Sequence, residues 1–182
     1  MKIFFLIALL IVLGGGYFYF FSSKDSGFDE GKKNINVSST AFQNDQEIPT
    51  KYTCEGENIN PDLILGNIPP EAKSLLLIMN NQDVEKGVFT HWIVWNINPK
   101  TTEIKENFSS ITSITGKNDF GSGKYEGPCP PYGKHTYFFK VYALDKNLEL
   151  ENTSGIKEVI QAAQKHVMDS GEISGFYVTK LK

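Results

Sequence analysis

The chain has 182 residues, of which 40% are hydrophobic and 13% aromatic. This composition is typical of a globular protein with β structure and excludes a wholly disordered chain. Acidic residues outnumber basic ones by 21 to 18, which gives a net charge of −3. Such a surface repels the phosphates of nucleic acids, and the sequence has no basic and aromatic patch to offset this. We therefore expect one domain behind a leader segment, and no nucleic-acid partner.

The chain begins with an apolar segment. Ile3–Phe21 contains no charged side chain and lies between Lys2 and Lys24. As a helix it would reach about 28 Å, close to the roughly 30 Å of a bilayer core. Residues 1–24 therefore indicate a membrane anchor or a cleaved signal peptide, and a helix buried in the domain is the third alternative. The first two interpretations predict an exported protein of the cell envelope, either held in the membrane through residues 3–21 or periplasmic or extracellular.

The next segment, residues 25–36, is polar and charged and is typical of a flexible linker. We therefore expect the folded domain to span residues 37–182. Its first strand candidates are short: Val37–Phe42 alternates only loosely, and Glu47–Tyr52 contains a proline. Both patterns favour edge strands.

The middle of the domain contains the strongest strand signals. Leu63–Leu65 predicts a short strand, and the compact apolar run Ser74–Met79 predicts a central strand buried on both faces. His91–Ile97 is the clearest strand of the chain. Its alternation predicts one face with Trp92, Val94 and Asn96 and another with His91, Ile93, Trp95 and Ile97.

The last part of the chain combines strands with a helix. Ile111–Ile114 is a weak strand candidate, and Tyr137–Leu144 is a strong one. Apolar spacing predicts a helix over Ile156–Met168 that ends at Gly171, and Gly175–Leu181 predicts a final strand. Short strands with proline-rich turns indicate a mainly β domain, an antiparallel β-sandwich with one or two short helices near the C-terminus.

Two histidines stand out as candidate functional residues. A rigid, proline-rich loop over residues 127–131 precedes His135 at the start of one strand, and His91 starts another. If these strand ends lie together, both imidazoles could form a small anion site with turn amides and Asp83. A metal site competes with this interpretation, but the three residues lack local ligand spacing. We expect His166, on the predicted helix, to be a surface group.

The two cysteines, Cys54 and Cys129, lie in glycine- and proline-bearing loops. In an exported domain such a pair most often forms one disulfide. Two structural thiols, or a reactive Cys129, are the alternatives. The sequence contains no Gly-x-Ser-x-Gly or His-Glu-x-x-His pattern that would indicate a known type of catalytic site.

Five ordered motifs carry a family resemblance. They are YTCEGENINPDL (52–63), THWIVWNI (90–97), NDFG (118–121), GPCPP (127–131) and KHTYFFKVYALD (134–145). From about residue 38 to its end, the chain closely resembles the phosphatidylethanolamine-binding protein family, and within it the bacterial branch named for similarity to Raf kinase inhibitor. The order of the five motifs makes the resemblance far more specific than any one of them.

The resemblance implies a β-sandwich with a small pocket for phosphate and similar anions, without known catalysis in most members. We expect no cofactor and no metal. The implied ligand-binding residues are Asp83, His91, Pro130, Pro131, His135 and Tyr137. The chain departs from the family pattern at two places. The family's Asp-Pro-Asp-x-Pro reads NQDVE over residues 81–85, and its Gly-x-His-Arg reads GKHT over residues 133–136.

The leading functional hypothesis is an exported or membrane-tethered protein that binds a phosphate-like or carboxylate anion, such as a lipid headgroup or a phosphopeptide. The alternative is a protein-interaction module whose surface loops inhibit a protease or a kinase. An enzyme is the third hypothesis, with Cys129 and His135 as a thiol pair or with the histidines as acid and base. We expect no enzymatic activity, because no catalytic pattern supports it.

Overall fold

The computed structural model describes residues 31–85 and 87–180, which form two β-sheets and a helix. The strands are β1 (Asn36–Ser38), β2 (Gln46–Glu47), β3 (Leu63–Gly66), β4 (Ser74–Asn81), β5 (Phe89–Ile97), β6 (Glu103–Ile104), β7 (Ile114–Thr115), β8 (Lys134–Leu144) and β9 (Val167–Val178), and the helix is α1 (Ile156–Ala163). The large sheet has the strand order β2-β9-β8-β4-β5-β7, and the small sheet β1-β3-β6. Paired strands are antiparallel except β2 and β9.

The two faces of the large sheet bury separate hydrophobic clusters. On one face Leu77 belongs to a cluster that includes Leu63 of the small sheet. On the other face Leu76 belongs to a cluster that includes Val159 and Ala163 of α1. Burying a leucine side chain fully stabilises the fold by about 2 kcal/mol. The expected β-sandwich with a short helix near the C-terminus is therefore confirmed.

Strand β4 lies inside the large sheet, between β5 and β8. All eight of its residues are buried, as the apolar run Ser74–Met79 predicts for a strand covered on both faces. The strand continues beyond that run to Asn80 and Asn81. Two asparagines are thereby buried at the end of β4, where their amides need polar partners.

The C-terminal part differs from the sequence prediction. Helix α1 ends at Ala163 instead of Met168, and Gly171 lies within β9 instead of ending the helix. A Cβ atom on Gly171 would lie 1.9 Å from the carbonyl oxygen of Ile35. The glycine is required because the N-terminal segment approaches β9 closely there, which no helix-ending signal reveals.

Two predicted strands are also shorter than expected. Thr50–Tyr52 forms a turn of 3-10 helix after Pro49, so only Glu47 of the predicted strand Glu47–Tyr52 pairs with β9. The weak candidate Ile111–Ile114 contributes only its last residue to β7, and Ile111 itself is fully exposed.

Contacts with β9 begin before the predicted domain start at Val37. Asn34 donates two hydrogen bonds to the carboxylate of Asp169, and Ile35 is buried and donates its N–H to Ser170. The end of the predicted linker therefore packs against the sandwich. The predicted anchor or signal segment, Ile3–Phe21, lies outside the described residues. Within the described ranges, no helix has the length and apolar character needed to cross a bilayer.

Candidate functional site

A cavity of about 360 Å³ opens at the end of β4, where the antiparallel neighbours β5 and β8 begin. All six residues predicted to bind ligand line this cavity. They are Asp83, His91, Pro130, Pro131, His135 and Tyr137. The two histidines come from strands that do not pair with each other but flank β4 on either side. The geometry brings the predicted set together, and its binding role stays a prediction.

His91 reaches the cavity because β5 contains a β-bulge. The pairing of β4 with β5 shifts between Met79↔Trp92 and Asn80↔Thr90, so that His91 has no partner on β4. A bulge re-aims the side chain of the extra residue. The His91 ring lies 5.2 Å from that of Tyr137, measured between centroids, and Tyr137 belongs to the same cluster as Trp92.

The prediction from simple alternation, that His91 faces away from Trp92, is therefore wrong. A second register shift in the pairing of β5 has the same kind of effect on Ile97, which joins the cluster of Trp92 and Val94. Asn96, next to it, has a φ of 56°, a left-handed conformation that asparagine tolerates better than most residues.

The protonation of His91 follows from its contacts. Its Nδ1 lies 2.7 Å from the carbonyl oxygen of Glu126, which can only accept, so Nδ1 carries a proton. Burial lowers the pKa of His91, and hydrogen bonds to the backbone at Glu126 and Gly127 offset this only in part. The neutral ring therefore predominates near pH 7 and leaves Nε2 unprotonated.

His135 is held by the end of β4. Asn81 accepts the N–H of Asp83 on Oδ1 at 2.8 Å, so its amide nitrogen faces Nδ1 of His135, also at 2.8 Å. This amide donates, so Nδ1 accepts, and in the neutral ring the proton lies on Nε2. Asp83 in turn accepts the N–H of Thr136 at 2.6 Å.

Tyr137 contributes a buried hydroxyl group. Its side chain is fully buried, and its oxygen has no hydrogen bond of normal geometry within the described part of the chain. Burial raises the pKa of Tyr137 well above its usual value, and the nearby backbone of Cys129 lowers it less. The group therefore stays protonated and offers a donor to whatever occupies the cavity.

The proline-rich loop forms one wall of the cavity and is held in place by a disulfide and a hydrogen bond. The structure contains a disulfide between Cys54 and Cys129, with Cα atoms 5.5 Å apart. This pairing leaves no free thiol at Cys129 and so opposes the reactive-thiol alternative. On the other side of the loop, Thr179 donates a hydrogen bond to the carbonyl of Pro130.

Gly127 allows the same loop to approach the chain near Tyr52. A Cβ atom there would lie 2.3 Å from the Tyr52 carbonyl oxygen, and the Gly127 N–H donates to Asn58 at 2.7 Å. The neighbouring Glu126 is held by side-chain contacts from Asn58 and Lys124. These contacts fix the carbonyl that orients His91.

Other residues that were not among the predicted ligand-binding residues also line the cavity. They are Asn81, Val84, Glu85, Phe89, Phe120, Cys129 and Tyr132. Phe120 and Tyr132 are 53% and 64% exposed, so aromatic rings stand at the opening. Among the described lining residues there is no lysine, and the whole sequence contains no arginine. In the described part of the chain, no three acidic, histidine or cysteine side chains are grouped to hold a metal ion.

The family model of the phosphatidylethanolamine-binding protein matches residues 38–178. A UPF0098 protein of Pyrococcus horikoshii is 45% identical over 163 residues, which cover 85% of this chain and 81% of that protein.

The chain belongs to the phosphatidylethanolamine-binding protein family. A UPF0098 protein of Archaeoglobus fulgidus is 42% identical over 154 residues, 81% of this chain, and the match spans about half of that longer protein, 52%. The crystal structure of the family homolog CT736 from Chlamydia trachomatis superposes with a TM-score of 0.76 at 36% identity, covering 80% of this chain and 98% of that one. Its match confirms both the family and the mainly β fold.

Family membership sets Asn81 apart from the other missed residues. The motif resemblance implies an aspartate at this position, and the present chain has an amide that donates to His135. A change from acceptor to donor beside an imidazole decides which ring nitrogen holds the proton. The motif comparison marks position 81 as unusual, but only the geometry shows which group it contacts.

Proposed function

We propose that this family member binds a small anion, a phosphate-like or carboxylate group, in the cavity between His91 and His135, and that it catalyses no reaction on that ligand. One observation carries the proposal. The Tyr137 hydroxyl is buried without a normal hydrogen bond and lines the same cavity as both imidazoles. An unpaired buried hydroxyl costs about 1–3 kcal/mol, and a ligand oxygen would remove that cost.

The side chains suit this role in different ways. His135 and Tyr137 offer donors to ligand oxygens, while Asp83 and the proline-rich loop shape the wall. A cavity of about 360 Å³ is large enough for a phosphate group with a short organic substituent. Lipid headgroups and phosphorylated peptides both present such a group.

A titration of the full-length protein with inorganic phosphate, followed by NMR of the imidazole resonances, tests the proposal. We expect the His91 and His135 resonances to shift together and to saturate at millimolar phosphate. His166 provides an internal reference, because it lies away from the cavity and contacts Asp145 at 2.8 Å. If His91 and His135 stay unshifted at millimolar phosphate, the anion-binding proposal is wrong. Glycerophosphoethanolamine and a phosphoserine peptide then compare the two sources of the group.

A second candidate function is favoured by the exposed rings of Phe120 and Tyr132. We propose as the alternative that these rings dock a protein partner, a protease or a kinase, and that the domain inhibits it. Inhibition that survives His135→Ala but fails in Phe120→Ser would favour this alternative. Inhibition that fails in His135→Ala but survives Phe120→Ser would instead indicate that the function depends on the cavity.

The site of action is a separate proposal. We propose that residues 1–24 direct the domain out of the cytoplasm, where a membrane anchor would hold it close to lipid headgroups. Mass spectrometry of the mature protein separates the two forms, because detection of residues 1–15 excludes cleavage of a signal peptide.

A further inference from the structure

The two histidines of the cavity offer opposite hydrogen-bonding groups. In His91 the contact with the Glu126 carbonyl occupies the Nδ1 proton, and the neutral ring is left with a lone pair on Nε2. Within the described residues no hydrogen bond of normal geometry is formed at this Nε2, and His91 lines the cavity. His91 therefore presents an acceptor.

His135 presents a donor instead. The Asn81 amide has a fixed orientation because its oxygen accepts the Asp83 N–H, so its nitrogen donates to Nδ1 of His135. The remaining nitrogen, Nε2, carries the proton of the neutral ring. His135 and the Tyr137 hydroxyl therefore each offer a donor to the cavity, and His91 offers an imidazole acceptor.

The charges around His91 add to this pattern. The titratable groups that face it are Asp119 and Glu126 from the adjoining loop, Asp83 and Glu85 across the cavity, and His135 and Tyr137 from β8. Of the lysines beside these residues in the described segments, Lys124 pairs with Glu126 at 3.2 Å, and Lys134 lies 3.7 Å from the ring centroid of Phe176. Among the described residues, a ligand with two full negative charges would therefore meet more acidic than basic neighbours.

We propose, as a refinement that rests on the proposed function, that the cavity selects an acid group that keeps one proton, such as a phosphate monoester monoanion, over anions without a proton. The ligand O–H donates to Nε2 of His91, and unprotonated ligand oxygens accept from Nε2–H of His135 and from the Tyr137 hydroxyl. An anion without a proton would place an oxygen lone pair against the lone pair of His91. A mismatch of this kind leaves a buried polar group unpaired.

Methyl phosphate and methyl sulfate form a matched pair of probes. At pH 5 both carry one negative charge and have similar shape, but only methyl phosphate has an O–H. A phosphate monoester loses its second proton near pH 6, whereas methyl sulfate has none to lose. We expect isothermal titration of the full-length protein at pH 5 to show methyl phosphate binding about tenfold or more tightly than methyl sulfate. Methyl phosphate affinity should fall at least about tenfold by pH 8, because its monoanion is then scarce.

The outcomes separate the refinement from the function on which it rests. Equal binding of the two probes at pH 5 overturns the proton selection and leaves anion binding in place. A parallel gain in affinity for both probes at low pH also overturns it, because the protein and not the ligand would then titrate. Binding of neither probe at millimolar concentration overturns the proposed function itself.

Two further measurements examine the acceptors. Nitrogen-15 NMR of the methyl phosphate complex should show Nε2 of His91 without a covalent proton, and a protonated Nε2 there would contradict the proposal. In Asp83→Asn the oxygen that accepts from Thr136 remains while the carboxylate charge is lost. We expect the loss of methyl phosphate affinity between pH 5 and pH 8 to become several-fold smaller in this variant, because the dianion is then repelled less. An unchanged loss of affinity would contradict the charge part of the proposal.

Discussion

The two faces of the large sheet each bury a hydrogen-bond donor without a normal partner, and the donor on one face lines the cavity between the two histidines. On the helix-covered face, Nε1 of Trp95 is buried in the cluster that includes α1. On the other face, the Tyr137 hydroxyl lines the open cavity beside His91. An orphan donor indicates a ligand when a ligand can reach it. For Trp95 the same orphan donor is only a cost to stability.

The largest expected effect on the unfolding free energy concerns the disulfide between Cys54 and Cys129, on the cavity face of the sheet. The disulfide closes a loop across a sequence separation of 75, and replacing both cysteines with serine should lower the unfolding free energy by about 4 kcal/mol in the chain-entropy model. Urea unfolding of the variant and of the oxidised wild type gives the difference. Phosphate affinity should change little, because Asn58 still holds Glu126 and Gly127. If the two proteins are equally stable, the disulfide does not contribute to the unfolding free energy.

Leu76 tests whether the helix-covered face is independent of the cavity. Its side chain is fully buried toward α1, so Leu76→Ala should lower the unfolding free energy by about 3 kcal/mol. Phosphate affinity, measured under conditions where the variant is folded, should match that of the wild type. Weaker binding would show that the two faces are coupled through β4.

Tyr137→Phe should separate stability from binding. Removing a buried hydroxyl without a normal hydrogen bond should raise the unfolding free energy of the ligand-free protein by about 1 kcal/mol. The same change removes a donor to the ligand, so phosphate affinity should fall about tenfold. Thermal unfolding with and without phosphate measures both effects. If the variant loses stability without ligand, the hydroxyl has a structural partner and the comparison with Trp95 fails.

Much of the fold was predictable because it depends on local patterns. The apolar run of β4 and the five ordered motifs indicated the sandwich and the family, and all six ligand-binding residues that the family resemblance implied line the cavity. The helix boundary was not predictable in the same way. Gly171 resembles a helix end in sequence, but its role depends on the approach of Ile35 from a distant part of the chain.

The details of the site depended on register and orientation. The face to which His91 points is decided by a bulge, which is a property of the pairing with β4 and not of the β5 sequence. The proton position on His135 depends on the amide of Asn81, whose orientation is fixed by the backbone of Asp83. Contacts of this kind become visible only when the strands are assembled.

The smallest predicted effect is a pH dependence of stability that arises from His91 on the cavity face. Burial lowers its pKa below the usual value of 6.5. On lowering the pH, the unfolded ring therefore takes up its proton before the folded one does. The stabilising contribution of the neutral buried ring is complete above about pH 6.5 and is lost as the pH falls through the lowered pKa.

His91→Gln retains a donor for the Glu126 carbonyl and removes the titration. We expect the unfolding free energy of the wild type to fall more steeply between pH 7.5 and pH 5 than that of the variant, in ligand-free protein followed by urea unfolding. The other two histidines are present in both proteins, so the difference isolates His91. Parallel curves would mean that the folded ring takes up its proton as readily as the unfolded one, and Nε2 could then not serve as the acceptor that distinguishes this face of the sheet.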